Sequence, residues 1–87
     1  MPTMRVEFYG IPRERAGFSE VEITAATLGE LLMDLLSRFP KLADIIDGNR
    51  LRPSFVANLN GDQFVVDPRT KLATTDCLLI LSADAGG

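Results

Sequence analysis

Few side chains in this sequence are equipped for chemistry, and those that are stand far apart along the chain. Histidine is absent, which excludes Ser-His-Asp and Cys-His nucleophilic schemes and imidazole acid-base catalysis. The single cysteine, Cys77, opens an apolar run, where a thiol is ordinarily a small packing group and not an activated nucleophile. One cysteine without histidine leaves no zinc set of the usual kind, and the scattered carboxylates lack calcium-loop spacing. Neither a P-loop nor a dinucleotide fingerprint can be written through Gly10, Gly17, Gly29, Gly48 or Gly61. What remains is the end of the chain, Ser82-Ala83-Asp84-Ala85-Gly86-Gly87. With glycine near ~7% of residues, a terminal pair arises by chance in about one chain in 200. Two glycines carry no Cβ to block a narrow channel and adopt backbone angles closed to other residues, so such a tail can thread into another enzyme. The carboxylate of Gly87 is sterically open. A second protein can activate it with ATP and replace an oxygen with sulfur, with no catalytic side chain supplied from this chain.

A tail of this kind needs a body to present it. Eighty-seven residues suffice for one domain and not two, and we read residues 1–83 as that domain and residues 84–87 as a flexible tail. Hydrophobic residues make up 46% and charged residues 24%, the balance of a folded domain. Residues 4–9 alternate as a half-buried strand, with Val6 and Phe8 on one face and Arg5, Glu7 and Tyr9 on the other. The proline, glycines and charges of residues 10–17 predict a loop, followed by a strand over residues 19–24 with Val21 and Ile23 inward. Thr27 and Glu30 have capping-box spacing ahead of Leu28, Leu31, Leu32, Leu35, Leu36 and Phe39, which predicts the main helix, ended by Pro40. Residues 41–47 read as a second helical turn closed by Gly48-Asn49. Residues 55–59 and 63–66 form a hairpin about Asn60-Gly61, read as a two-residue turn. Leu72 plugs the core from the next loop, and residues 77–81 make the last strand. The expected core is Val6, Phe8, Val21, Ile23, Leu28, Leu32, Leu35, Ala57, Leu59, Leu78 and Ile80.

Charge and hydropathy bound the partners. The net charge is −3, with Arg13, Arg15, Arg50 and Arg52 the only local basic groupings, so binding to nucleic acid is not expected. Residues 77–81 are the longest apolar stretch, far short of the roughly 20 needed to span a bilayer, and no signal pattern opens the chain. With a lone cysteine, this reads as a cytoplasmic protein without a membrane partner. The pleat makes one further demand. A last strand that buries Leu78 and Ile80 turns Leu79 and Leu81 outward, and its neighbour turns Val56 outward, which predicts a partner-binding patch of Val56, Leu79 and Leu81 beside the tail.

Four segments resemble the MoaD/ThiS family of ubiquitin-like sulfur carriers: Met4-Arg5-Val6-Glu7-Phe8-Tyr9-Gly10, Thr27-Leu28-Gly29-Glu30-Leu31-Leu32, Leu59-Asn60-Gly61, and the stretch from Asp76 to Gly87. The resemblance implies an α+β, ubiquitin-like β-grasp with a mixed sheet of four to five strands packed on one main helix. It also implies a cycle. An E1-like adenylyltransferase of the MoeB/ThiF type, using ATP and Mg, adenylates Gly87, and the thiocarboxylate then formed donates its sulfur. This chain would bind no cofactor and no metal, and would be a non-catalytic, sulfur-donating subunit. Its acceptor would be the large subunit of molybdopterin synthase (MoaE type) or another sulfur-accepting enzyme, with Gly86 and Gly87 entering the acceptor's active site. Two positions depart from the family's habit: Thr75-Asp76 stands for a Gly-Asp pair, and Ser82-Ala83 for a Pro-Pro pair. The length through residues 41–53 favours the molybdopterin small-subunit type over the shorter thiamine carriers. Carriers for cysteine synthesis, thiamine synthesis or tRNA thiolation, a protein modifier joined to lysines through Gly87, and a passive interaction domain are the alternatives.

Overall fold

The computed structural model describes residues 1–86. Strand β1 (Thr3–Phe8) buries Met4, Val6 and Phe8 at alternate positions, as the period-2 pattern requires. It is followed by α1 (Ile11–Ala16), β2 (Glu20–Thr24), α2 (Leu28–Arg38), a 3-10 turn (Pro40–Asp44), β3 (Ile46–Asp47) and β4 (Arg50–Leu51). Then come β5 (Phe55–Leu59), β6 (Gln63–Val65), β7 (Cys77–Ser82) and a single helical turn, α3 (Ala83–Gly86). Five strands form one sheet in the order β2-β1-β7-β5-β6. The last strand, β7, lies in the middle, parallel to β1 and antiparallel to β5. This is the expected mixed sheet packed on one main helix.

The main helix begins as its capping residues require. Thr27 Oγ1 accepts a hydrogen bond from the Glu30 backbone N–H at 3.3 Å, and the Leu28 and Gly29 N–H groups donate to Thr70 O and Pro68 O at 2.9 Å, so free donors at the helix start are satisfied; Glu30 Oε1 reaches back to the Ala26 N–H at 3.3 Å. Leu28, Leu31, Leu32 and Leu35 face the sheet and are buried. Opposite them lie Val6, Phe8, Ile23, Ala57, Leu59, Leu78 and Ile80, also buried. Leu72 plugs the core as expected. Val21 is only half-covered, because it sits on the edge strand β2. The core is larger than the sequence reading allowed, and also takes in Met4, Leu31, Leu42, Ile45, Ile46 and Val65.

Three local expectations are corrected. Residues 10–17 hold the helix α1, in which Pro12 occupies the first turn and Gly17, at φ 84°, stops it with its N–H on Arg13 O at 2.9 Å; proline and glycine punctuate the two ends of a helix here. Its Arg15 reaches Asp44 at 3.1 Å. In residues 41–47 the helical turn ends at Asp44, and Gly48-Asn49 turns a small hairpin, pairing Ile46 with Leu51 and Asp47 with Arg50. In the β5–β6 hairpin, Asn60 and Gly61 both take positive φ as a primed turn requires, but Leu59 pairs with Gln63. The loop therefore holds Asp62 as well.

Gly29 shows why α2 starts where it does. A Cβ there would stand 2.9 Å from Pro68 Cβ and 3.1 Å from Pro68 O, while the Gly29 N–H bonds that same oxygen at 2.9 Å. Gly29→Ala is therefore expected to destabilise the fold by about 1–3 kcal/mol, overpacking outweighing alanine's helix preference of about 1 kcal/mol. Urea denaturation measures this directly; a stabilised variant would show that the 67–70 loop yields freely.

Candidate functional site

The site is built at the end of β7. A clamp fixes the start of that strand: Asn60 Nδ2 donates to Asp76 Oδ1 at 2.9 Å, the Cys77 N–H donates to Asn60 Oδ1 at 2.8 Å, and the Asn60 N–H donates to Cys77 O at 2.8 Å. Asp76 Oδ2 also accepts from the Ala73 N–H at 2.8 Å. At the other end Ser82 pairs with Phe55, and the Ala83 N–H donates to Ser54 O at 2.8 Å. The chain thus leaves the sheet from its central strand, tied to the entry of β5. Beyond it the backbone makes the turn Ala83–Gly86, and Gly87, the expected activated residue, lies outside the described residues.

The outer sheet face beside this exit is apolar. Val56 stands opposite Leu81, and Leu79 opposite Asn58, all on the face away from the helix. Val56, Leu79 and Leu81 are half-buried, so the structure brings together the three residues expected to form the patch. Two more exposed apolar residues were missed: Phe64 is 54% exposed and Val66, just past the end of β6, 73%. Phe64 pairs with Asn58 on the same face, and the signal was present in the sequence, since placing Val65 inward turns its neighbours outward. Asn58 is the polar member of this face, its Oδ1 buried without a hydrogen-bond partner among the described residues.

Next to the patch, β1 contributes a polar ladder. Glu7 is the hub, accepting hydrogen bonds from Arg5 Nε at 3.0 Å, from the Tyr9 hydroxyl, and from Cys77 Sγ at 3.5 Å. The Tyr9 hydroxyl, then the thiol and Arg5, hold the Glu7 carboxyl below its ordinary range against the opposing effect of burial, and the same bond pushes Tyr9 up. Burial pushes the Cys77 thiol up as well. A thiol so placed stays protonated at neutral pH and serves the sheet as a packing group. Among the described residues no group of three or more potential metal ligands occurs, and no helix is long and apolar enough to cross a membrane.

A β-grasp body that sends its chain end out of the central strand, beside an apolar sheet face, defines a class of small carrier and modifier domains. Residues 6–87 match the family model described as the ThiS family, and the chain belongs to that family of ubiquitin-like sulfur carriers. Solved structures share the fold. The small archaeal modifier protein 1 (SAMP1) of Methanosarcina acetivorans is 23% identical, aligned over 100% of this chain and 98% of its own, with a TM-score of 0.80. A putative molybdopterin converting factor, subunit 1, from Pyrococcus furiosus is 20% identical over 94% and 98%, with a TM-score of 0.78. A chain in the BexX/CysO complex of Amycolatopsis orientalis is 28% identical over 97% and 99%, with a TM-score of 0.78. No curated protein matches the sequence.

Proposed function

We propose that this protein carries sulfur as a thiocarboxylate on Gly87, acting in the cytoplasm as the small subunit of a molybdopterin synthase. The observation that carries this reading is the family match, which runs through the terminal glycine pair to residue 87, on a body whose last strand exits beside an apolar face. An E1-like enzyme of the MoeB/ThiF type would join the Gly87 carboxylate to AMP with release of pyrophosphate, using ATP and Mg. Sulfide would then attack the acyl carbon and displace AMP, leaving the thiocarboxylate. In an acceptor of the MoaE type, the tail would deliver that sulfur to the precursor and leave Gly87 as a carboxylate. The similarity to a molybdopterin converting factor subunit supports the pathway. Mass spectrometry of the protein incubated with such an activating enzyme, ATP, Mg and a sulfide source is expected to show one oxygen replaced by sulfur. An unchanged mass would refute the carrier role.

A second reading, protein modification through Gly87, is favoured by the similarity to SAMP1. Discrete conjugates in cell lysates that disappear when Gly87 is deleted would establish it; free protein bearing a thiocarboxylate, without conjugates, supports the carrier.

Either chemistry requires the body to dock while the tail is threaded. The face of Val56, Leu79 and Leu81, widened by Phe64, can do this at low ordering cost because the side chains stand on paired strands. Leu79→Glu or Leu81→Glu is expected to weaken binding to both the activating enzyme and the acceptor subunit at least ~10-fold, as loss of a central contact of more than 1 kcal/mol does. Titration calorimetry against each purified partner, with a thermal melt beside it, reads the effect. Native affinity with a native melt would move docking elsewhere on the molecule.

A further inference from the structure

A separate groove opens where β6 stops short. The β5–β6 ladder pairs Ala57 with Val65 and Leu59 with Gln63. Its next pairs would join Val56 to Val66 and Phe55 to Asp67, but the ladder stops at Ala57–Val65, Asp67-Pro68 turns the chain away, and neither pair is made. Phe55 and Val56 are therefore flanked on one side only, by β7. The gap between this corner of the sheet and the helix is a groove of about 270 Å³. Leu28 and Leu32 of α2 form its floor, and Leu51, Phe55 and Val66 its walls. Pockets that enclose a whole small molecule usually run to about 300–1,000 Å³. This groove lies just under that range, and its strand-edge setting suits the side chains of an extended peptide.

Its rim is cationic although the protein is acidic overall. Arg50 and Arg52 line the groove, and Arg50 and Arg69 line the depression next to it. Arg69 is engaged by Asp67 at 3.3 Å, and Arg52 reaches Asp47 at the outer limit of 4.0 Å. Arg50 has no carboxylate within ion-pair distance among the described residues. Asp67 lies near Arg50 but outside ion-pair distance. An apolar slot edged by a guanidinium without a salt-bridge partner selects for apolar side chains followed by a carboxylate, which arginine can take bidentately.

We infer that this groove is a second docking site, one that takes an extended, acidic segment of a partner protein by burying two of its apolar side chains against Leu28, Leu32 and Leu51 and pairing its carboxylate with Arg50. The site uses neither Gly86 nor Gly87, so it does not depend on the carrier reading. Because Val56 borders both the groove and the outer sheet face, a segment seated here adds to docking on that face and can select among partners that all accept the tail.

The test uses the full-length chain as bait for a display library of random ten-residue peptides. Selected peptides are then titrated into isotope-labelled protein and followed by amide shifts. The expected result is enrichment of Asp or Glu beside paired Val, Ile, Leu or Phe, with shifts centred on Leu28, Leu51 and Val66. Arg50→Glu is expected to weaken those peptides at least tenfold, and Leu51→Asp likewise, while a melt confirms that each variant is folded. Arg50 is exposed and Leu51 half-buried, so the Arg50 variant keeps the test valid if the melt of Leu51→Asp falls. Absence of acidic enrichment, affinity unchanged in Arg50→Glu, or shifts centred on Leu79 would each overturn the proposal. So would concentration-dependent shifts of the same groove without peptide, which would assign it to a second copy of this chain. Thiocarboxylate formation measured on Arg50→Glu separates this outcome from failure of the carrier reading.

Discussion

Removal of Gly87 is expected to abolish sulfur transfer while leaving the melt of the protein unchanged. The sheet is complete at Ser82, and among the described residues the last backbone hydrogen bond from the tail to the sheet is the Ala83 N–H on Ser54 O. The buried core runs from Met4 to Ile80, so the stability change should lie within about 0.5 kcal/mol. Chemistry has no such tolerance. Deleting one residue withdraws the reacting carboxylate by about 3.3–3.6 Å, and a misplacement of about 1 Å can already cost 10²-fold in rate. The truncated chain still ends in glycine, so the variant isolates reach from steric openness. Gly87→Ala, which restores reach but adds a Cβ, tests the narrow-channel argument separately and is expected to be slow and not dead. The assay is thiocarboxylate formation by mass spectrometry together with product formation by the acceptor. Product from the protein lacking Gly87 would sink the carrier reading, whereas loss of fold in that protein would mean the tail is structural.

The parts of this molecule that were legible in the sequence share one property: each is encoded by neighbours in the chain. The α2 start could be read because Thr27 and Glu30 sit at capping-box spacing; the structure makes the bond from the Glu30 N–H to Thr27 Oγ1, while the Glu30 side chain takes the N–H of Ala26. The faces of β1, β5 and β7 could be read because alternation assigns sides without knowledge of strand order. Helix α1 could not. Its six residues include a proline and lie between glycines at positions 10 and 17, and what holds it is tertiary: Arg13 Nε on Phe8 O at 3.0 Å and Arg15 on Asp44 at 3.1 Å. The small β3–β4 hairpin is similar, since two-residue strands carry no periodicity. The groove beside β6 was illegible for another reason. It exists because one ladder ends two pairs early, and the termination depends on where residues 67–70 pack against Gly29, a long-range fact. The functional tail is the reverse case, visible as residue types alone, because its chemistry lies in the backbone carboxylate.

The largest loss of stability from a single truncation is expected at Ile80. It is 1% exposed on the central strand, opposite Phe8 on one side and Ala57 on the other. Its small neighbour Ala57 cannot swell to fill a void, and Phe8 is itself held edge-on by Phe39 at 6.4 Å. The cavity left by Ile80→Ala should therefore persist, placing the cost at roughly 2–5 kcal/mol. For a domain of this size the whole folding stability is of the order of 5–15 kcal/mol, nearer the lower end. At about 4–8 °C per kcal/mol, the melt should fall by roughly 8–40 °C. Leu79, one residue earlier on the same strand, supplies the control. It faces the other side of the sheet and is only half-buried, so Leu79→Ala should cost under about 1 kcal/mol. Chemical denaturation of the two variants measures both numbers on one strand. Equal losses would mean that the outer face is packed like a core and is not available for docking. A loss at Ile80 below about 1 kcal/mol would mean that the helix does not pack where the buried leucines of α2 place it.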